Sequence, residues 1–185
     1  MPVTQITLLK GYSPEVQARL VARVSAAVRS VIPAPEAGTT TMVQEVSTYR
    51  REGRVFAQGN LAQTDASAVV RAFLDAMEAR DLTAAQRFLA PGFVMTFPGG
   101  QRFTRLEQLV AWAKGRYQRV GKSYDRYEEC WRGDDTVVYC SGSLHGVWPN
   151  GEAFEGIRFI DRFVVQGEQL LEQDVWNDLA ESQRV

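Results

Sequence analysis

The sequence predicts an α+β fold built from two modules in series. Three observations point there. A strand-like run, a long amphipathic helix and a second strand-like run fill the first 46 residues. Three shorter helical segments follow between residues 65 and 120. Four long strand-like runs with tight turns then carry the chain to residue 179. Helices first and an antiparallel meander afterwards is the α+β order, here preceded by a separate β-α-β unit.

Val3-Thr4-Gln5-Ile6-Thr7-Leu8-Leu9-Lys10 alternates apolar with polar residues and reads as a strand. Ser13 is a good helix N-cap, and Pro14 suits the first helical position. Val16, Leu20, Val24, Ala27, Val28 and Val31 recur at three- and four-residue spacing, which marks the buried stripe of a helix. Gln17, Arg23, Ser25 and Arg29 make its polar face, and Pro33 and Pro35 stop it. Residues 39–46 form the second strand, and a strand-helix-strand crossover joins parallel strands right-handedly. Arg50, Arg51, Gly53 and Arg54 follow in a basic, hairpin-like segment ending at Phe56. A unit of about 57 residues with two or three strands leaves one sheet face bare and needs a partner. That partner is either a second copy or the rest of the chain.

The domain boundaries read from this pattern are 1–58 for the first module, 59–64 for a small, polar linker, and 65–185 for the second module. Asp65 caps a helix with the stripe Val69, Val70, Phe73, Leu74 and Met77. Asp81 or Thr83 opens a short helix with Ala85, Phe88 and Leu89, and Pro91-Gly92 ends it. Residues 93–97 read as a strand. Thr104 and Glu107 form a capping box for a helix reaching about Val120. The strands of the meander are expected at 123–132, 135–147, 153–165 and 169–179. A strongly curved meander with helices across its open side makes a cone with an apolar interior, a natural small-molecule pocket.

Composition excludes several function classes. A net charge of −1 and a pI near 5.9 argue against nucleic acid or an anionic membrane as partner. No apolar run approaches the roughly 20 residues that a membrane helix needs. No basic stretch followed by an apolar core marks a secretory signal, so a cytoplasmic location is expected. Cys130 and Cys140 have no metal-ligand spacing, lie unequally distant from the turn at Gly133-Asp134, and read as small apolar fillers. No phosphate-binding glycine loop is present, and no cofactor or metal is expected.

The first 60 residues resemble the tautomerase superfamily, in its 4-oxalocrotonate tautomerase-like branch. The residues that carry this are Pro2, the strand 3–9, Gly11 with Ser13, the helix 14–32, Ala34-Pro35, Glu45-Val46, and Phe56 with Gly59. The resemblance implies that Pro2, with Met1 removed, is a secondary amine acting as general base. A free α-amino group ordinarily titrates near about pH 8, and an apolar or cationic pocket lowers that value. Family arginines bind the substrate carboxylate, yet their positions here hold Tyr12 and Thr40. Arg50, Arg51 and Arg54 are the candidate replacements, and Phe56 is the candidate family aromatic.

Residues 65–180 resemble the NTF2-like superfamily, in its SnoaL-like or ketosteroid-isomerase-like branch. The stretch Phe73–Leu82, the segment Phe88–Phe93 and Ile160-Asp161-Arg162-Phe163 carry this likeness. It implies an α+β cone and a site within it. At the positions of the ketosteroid isomerase tyrosine and base aspartate stand Phe73 and Phe97, and only Asp161 has a counterpart.

Asp161 shares a strand face with Ile157, Phe159 and Phe163, where a carboxyl is costly unless paired or protonated. His145 is the only histidine and is a candidate acid/base partner for it. Trp112 and Tyr139 are candidate pocket aromatics. The expected function is a small-molecule isomerase or tautomerase with Pro2 as base and an NTF2-like pocket domain. The alternative puts chemistry, or plain binding of an apolar, polyketide- or steroid-like molecule, in the cone around Asp161 and His145. The first module then serves dimerisation. In either case the partners are a small molecule and further copies of the chain, as a homodimer or higher oligomer.

Overall fold

Strand β1 (Val3–Leu9) runs parallel to β2 (Thr40–Val46), with helix α1 (Pro14–Val31) between them in sequence. A computed structural model describes residues 1–56 and 64–182. The chain divides into two units, Met1–Gln63 and Thr64–Val185. The expected linker falls outside the described residues except for Thr64.

In the N-terminal unit Ser13 caps α1 by accepting a hydrogen bond from the Val16 amide, and Pro14 occupies the first turn as expected. The basic segment is a hairpin of β3 (Tyr49–Arg51) and β4 (Arg54–Phe56). Its turn residues Glu52 and Gly53 both have positive φ, the pattern of a type I′ turn. The unit holds no fully buried described side chain. Thr4, Ile6 and Leu8 of β1 are half-buried, whereas Val3, Gln5 and Thr7 on the other face are exposed. Met42, in register with Gln5, is exposed too. One sheet face is therefore bare, as two strands and one helix require.

The C-terminal unit is a six-stranded mixed sheet with helices, the α+β arrangement expected of it. Its strand order is β6-β5-β10-β9-β8-β7. The strands are β5 (Leu89–Phe97), β6 (Gln101–Phe103), β7 (Arg119–Arg132), β8 (Asp135–Val147), β9 (Ala153–Gln166) and β10 (Gln169–Asn177). All neighbours are antiparallel except β10 with β5, which are parallel. The last strand of the meander thus closes back on the first strand of the unit.

Helix α2 (Ala66–Glu78) packs its stripe Ala66, Val69, Val70, Phe73 and Leu74 into the core. The spacing matches one face of a helix. Phe73, Phe163, Met95, Leu106 and Leu170 are the largest fully buried side chains. Each such residue contributes about 1.5–3 kcal/mol of transfer free energy. Phe73 meets Phe163 edge-on, with centroids 6.0 Å apart. Asp65 caps α2 through the Ser67 amide, and the Ser67 hydroxyl donates to Glu129 Oε1 at 2.7 Å, tying the helix start to β7. The helix ends in a Schellman motif: Asp81 N donates to Ala76 O at 2.9 Å and Arg80 N to Met77 O at 3.2 Å. Arg80 holds the left-handed position at φ 60°. A side chain there costs about 1 kcal/mol relative to glycine.

Four sequence expectations need correction. Leu89 and Pro91-Gly92 belong to β5, not to the end of helix α3 (Leu82–Gln86); Gly92 keeps the strand going at φ 82°. Helix α4 spans only Leu106–Ala113, because the chain turns at Gly115 and re-enters the sheet at Arg119. Its N-cap is Arg105 without a side-chain cap bond, so no capping box forms; the Gln108 side chain instead accepts from the Thr104 amide at 3.3 Å. Strand β6 is too short to be evident from its sequence, and pairing with β5 supplies what its length does not. A short helix α5 (Leu179–Ser182) follows β10. Among the described residues no helix is long and apolar enough to cross a membrane. The two cysteines are free, and Cys130 opposes Val137 while Cys140 opposes Tyr127.

Candidate functional site

A cavity of about 130 Å³ opens in the C-terminal unit between α2, α4 and β7. That is close to the ~150 Å³ apolar cavity that admits benzene. Phe73, Leu74, Met77, Phe97, Leu109, Val110, Ala113 and Val120 make its apolar wall. Lys122, Tyr124, Gln173, Tyr117, Glu78 and Arg80 supply the polar groups. The helix stripes that build the core also build this wall, because α2 turns both Phe73 and Met77 inward.

Behind the wall lies Asp161, with 0% exposure. Its Oδ2 is ion-paired with Lys122 Nζ. Register explains the meeting. Asp161 on β9 opposes Cys140 on β8, and β8 opposes β7 in turn, so Asp161 and Lys122 project from one sheet face. The Lys122 ammonium also lies 4.4 Å from the Phe159 ring centroid, a cation–π contact. Its side chain keeps 23% exposure and thus reaches the cavity. Burial pushes the Asp161 carboxyl above the ordinary range, and Lys122, then Gln173, pull it part of the way back. Asp161 Oδ1 has no hydrogen-bond partner of good geometry, although Gln173 is near. A buried oxygen left in that state costs about 1–3 kcal/mol.

Tyr124 stands next to the pair, edge-on to Phe159 with centroids 5.6 Å apart. Burial first, and Asp161 second, push its phenol up, so it stays a neutral hydroxyl. Burial likewise pushes the Cys140 thiol up to about 12. The chemistry available is therefore a buried carboxyl, an ammonium donor, a neutral phenol and an apolar wall. Among the described residues no three His, Cys, Asp or Glu side chains stand together as a metal site.

The sequence candidates fall into three groups. Phe73, Phe97 and Asp161 are at or directly behind the cavity. Trp112 backs the wall, 5.6 Å from Phe97 by ring centroids, with Arg116 stacked on its ring at 4.4 Å. Tyr139 and His145 sit on the other face of β8. Tyr139 opposes Arg162, and His145 is exposed against Gly121. The expected Asp161–His145 couple does not form, since strand alternation sends the two side chains to opposite faces. The lysine replaces the histidine.

The third group lies in the N-terminal unit. With Met1 in place the Pro2 nitrogen is part of the Met1–Pro2 peptide bond, a tertiary amide without basicity, so the expected Pro2 base requires Met1 to be removed. The Pro2 carbonyl accepts from Thr40 N at 3.0 Å, and Thr40 is exposed. Tyr12 is half-buried and uses its carbonyl to accept from Gln17. Arg50, Arg51 and Arg54 are exposed on the hairpin, and Arg51 pairs with its neighbour Glu52 at 3.5 Å. Phe56 ends β4, opposite Tyr49.

Sequence reasoning misses Lys122, because the strand-like run starts at Ser123. A signal for it exists: extending β7 back to Arg119 puts Lys122 on the same face as Tyr124.

A family described as SnoaL-like domain matches residues 70–173, and the N-terminal unit lies outside that match. Solved structures share the fold of the C-terminal unit, which is NTF2-like. An NTF2-like protein of unknown function from Burkholderia pseudomallei K96243 aligns with TM-score 0.53 and 20% identity, over 64% of this chain and 94% of that one. TerC, co-crystallised with polyporic acid, aligns with TM-score 0.53 and 12% identity, over 63% and 94%. A proposed SnoaL-like polyketide cyclase from Jannaschia sp. CCS1 aligns with TM-score 0.52 and 20% identity, over 69% and 95%. No curated protein matches the chain significantly.

Proposed function

The chain belongs to the SnoaL-like domain family, and from that premise we propose that its cone binds a small cyclic molecule with Lys122 as polar anchor. The observation that carries this is the fully buried Asp161 held against Lys122 at the wall of an apolar cavity. Asp161 fixes the ammonium in place; Lys122 donates to a carbonyl or enol oxygen of the ligand. In a desolvated cavity such a preorganised donor favours negative charge on that oxygen, and one donor of this kind is often worth about 3–4 kcal/mol. Two fold relatives, TerC co-crystallised with polyporic acid and a proposed polyketide cyclase, support small-molecule binding as a use of this scaffold.

One observation favours turnover over binding alone. Glu78 lines the same cavity as Lys122 and is near enough to Tyr124 to disfavour its ionisation. A carboxylate base and an ammonium donor are the two groups that enolisation needs. In this reading the N-terminal unit, with its bare sheet face, serves self-association.

The test is calorimetric titration with 1-indanone, a cyclic ketone close in size to the cavity. Wild type should bind it, and Lys122→Met/Asp161→Leu should bind it at least tenfold more weakly. Equal affinities would remove Lys122 from the site. Exchange of the ketone's α-hydrogens in D2O, faster with wild type than with Glu78→Gln, would place the reaction there as well.

A further inference from the structure

The cavity has a charged mouth. A second depression, lined by Glu78, Arg80, Arg119, Val120, Gly121 and His145, shares Glu78, Arg80, Val120 and Gly121 with the cavity. The two adjoin through these shared residues, the first apolar inside and the second cationic at its edge.

Three features mark the rim as more than a solvated edge. First, Arg80 and Arg119 have no ion pair among the described residues. Arg71 stacks on Tyr127, Arg116 on Trp112, and Arg158 and Arg162 pair with Asp178 and Asp174, whereas Arg87, Arg102 and Arg105 also lack an ion pair among the described residues but line neither depression. Second, Arg80 holds the left-handed position of a helix C-terminus, where glycine is favoured. The chain keeps an arginine there at a cost in backbone free energy. Third, His145 lies against Gly121, where a Cβ would come within 2.5 Å of its Nε2. The missing side chain leaves room for the imidazole, which starts from the outer face of β8, to reach across β7 to the rim. Glu78 is the opposing charge, so two guanidinium groups face one carboxylate in a chain whose net charge is −1.

We infer that the ligand is a ring compound bearing a carboxylate, its ring in the cavity and its anion at the mouth between Arg80 and Arg119. The inference rests on the reading that the cavity binds a small molecule. Guanidinium groups match a carboxylate with paired hydrogen bonds, and a ring behind them excludes the water that would screen the contact. Glu78, on the same rim, disfavours an anion that does not reach both arginines.

The test compares trans-cinnamate with cinnamamide, a neutral compound of the same shape, by calorimetry at low salt. The wild type should prefer the acid at least tenfold, and 0.5 M NaCl should shrink that preference. Arg80→Gly relieves the backbone, so its Tm should hold or rise while the preference for the acid falls. Arg80→Gly combined with Arg119→Gln should bring acid and amide within about twofold of each other. Equal binding of acid and amide by the wild type overturns the anion site and leaves the cavity reading standing. A preference that survives in the double variant also overturns it. Binding of neither compound counts against the cavity reading itself, and with it the inference.

Discussion

Replacing Lys122 by Met tests the buried pair directly. The Met keeps a stem of similar length against Phe159 but removes the only ion-pair partner that Asp161 has among the described residues. A fully buried carboxylate without a partner does not stay charged; it takes up a proton instead. Protonating a carboxyl of ordinary pKa, about 3.9, at pH 7 costs about 4 kcal/mol, which sets the ceiling of the penalty. At pH 5 the same ceiling is about 1.5 kcal/mol. Burial already raises Asp161 in the wild type, and removing Lys122 raises it further. A group raised on folding binds protons more tightly in the folded state, so its contribution is full below the unfolded pKa and is lost as pH climbs. Urea unfolding of Lys122→Met should therefore show a loss of about 2–4 kcal/mol at pH 7 and no more than about 1.5 kcal/mol at pH 5. Lys122→Met/Asp161→Leu should return to near wild-type stability with no such pH slope, because an apolar pair replaces the charged one. A loss below about 1 kcal/mol, equal at both pH values, would refute the reasoning that Asp161 depends on Lys122.

Three further outcomes are expected. Gly142→Ala should cost about 3 kcal/mol or more in urea unfolding, because a Cβ there overlaps the Ser123 carbonyl oxygen beside the β7 bulge. In the folded protein at pH 8 one thiol, the exposed Cys130, should react quickly with a disulfide reagent, and the second, Cys140, only after unfolding, since it is buried and pushed up to about 12. Met42→Asp, on the bare face of the N-terminal sheet, should shift the protein from oligomer to monomer in sedimentation velocity. A wild-type monomer would contradict the role given to that face.

Much of the fold is legible in the sequence because the signals are strong and local. Ser13-Pro14 and Asp65 mark two helix starts, and alternation with tight turns marks the meander. What is not legible depends on pairing across the sheet. Leu89 follows a helical stripe, and only its partner Leu170 on β10 makes it a strand residue. The site splits along the same line. Asp161 stands out as a charge in an apolar row. Its partner Lys122 lies 39 residues away on the far side of β8, where only register brings the two together. His145 is the natural acid/base partner by chemistry, but strand alternation turns it outward. Arg80 gives no sequence signal, since its role depends on a backbone angle. Pro2 carries the strongest local signal of all, and its basicity depends on whether Met1 is removed.

The most direct measurement is the infrared carbonyl stretch of 13C-labelled 1-indanone bound to the protein. With Lys122 donating to the ketone oxygen, the band should lie at lower frequency in wild type than in Lys122→Met/Asp161→Leu. The same frequency in both proteins, with the ketone bound, would contradict the claim that Lys122 anchors the ligand.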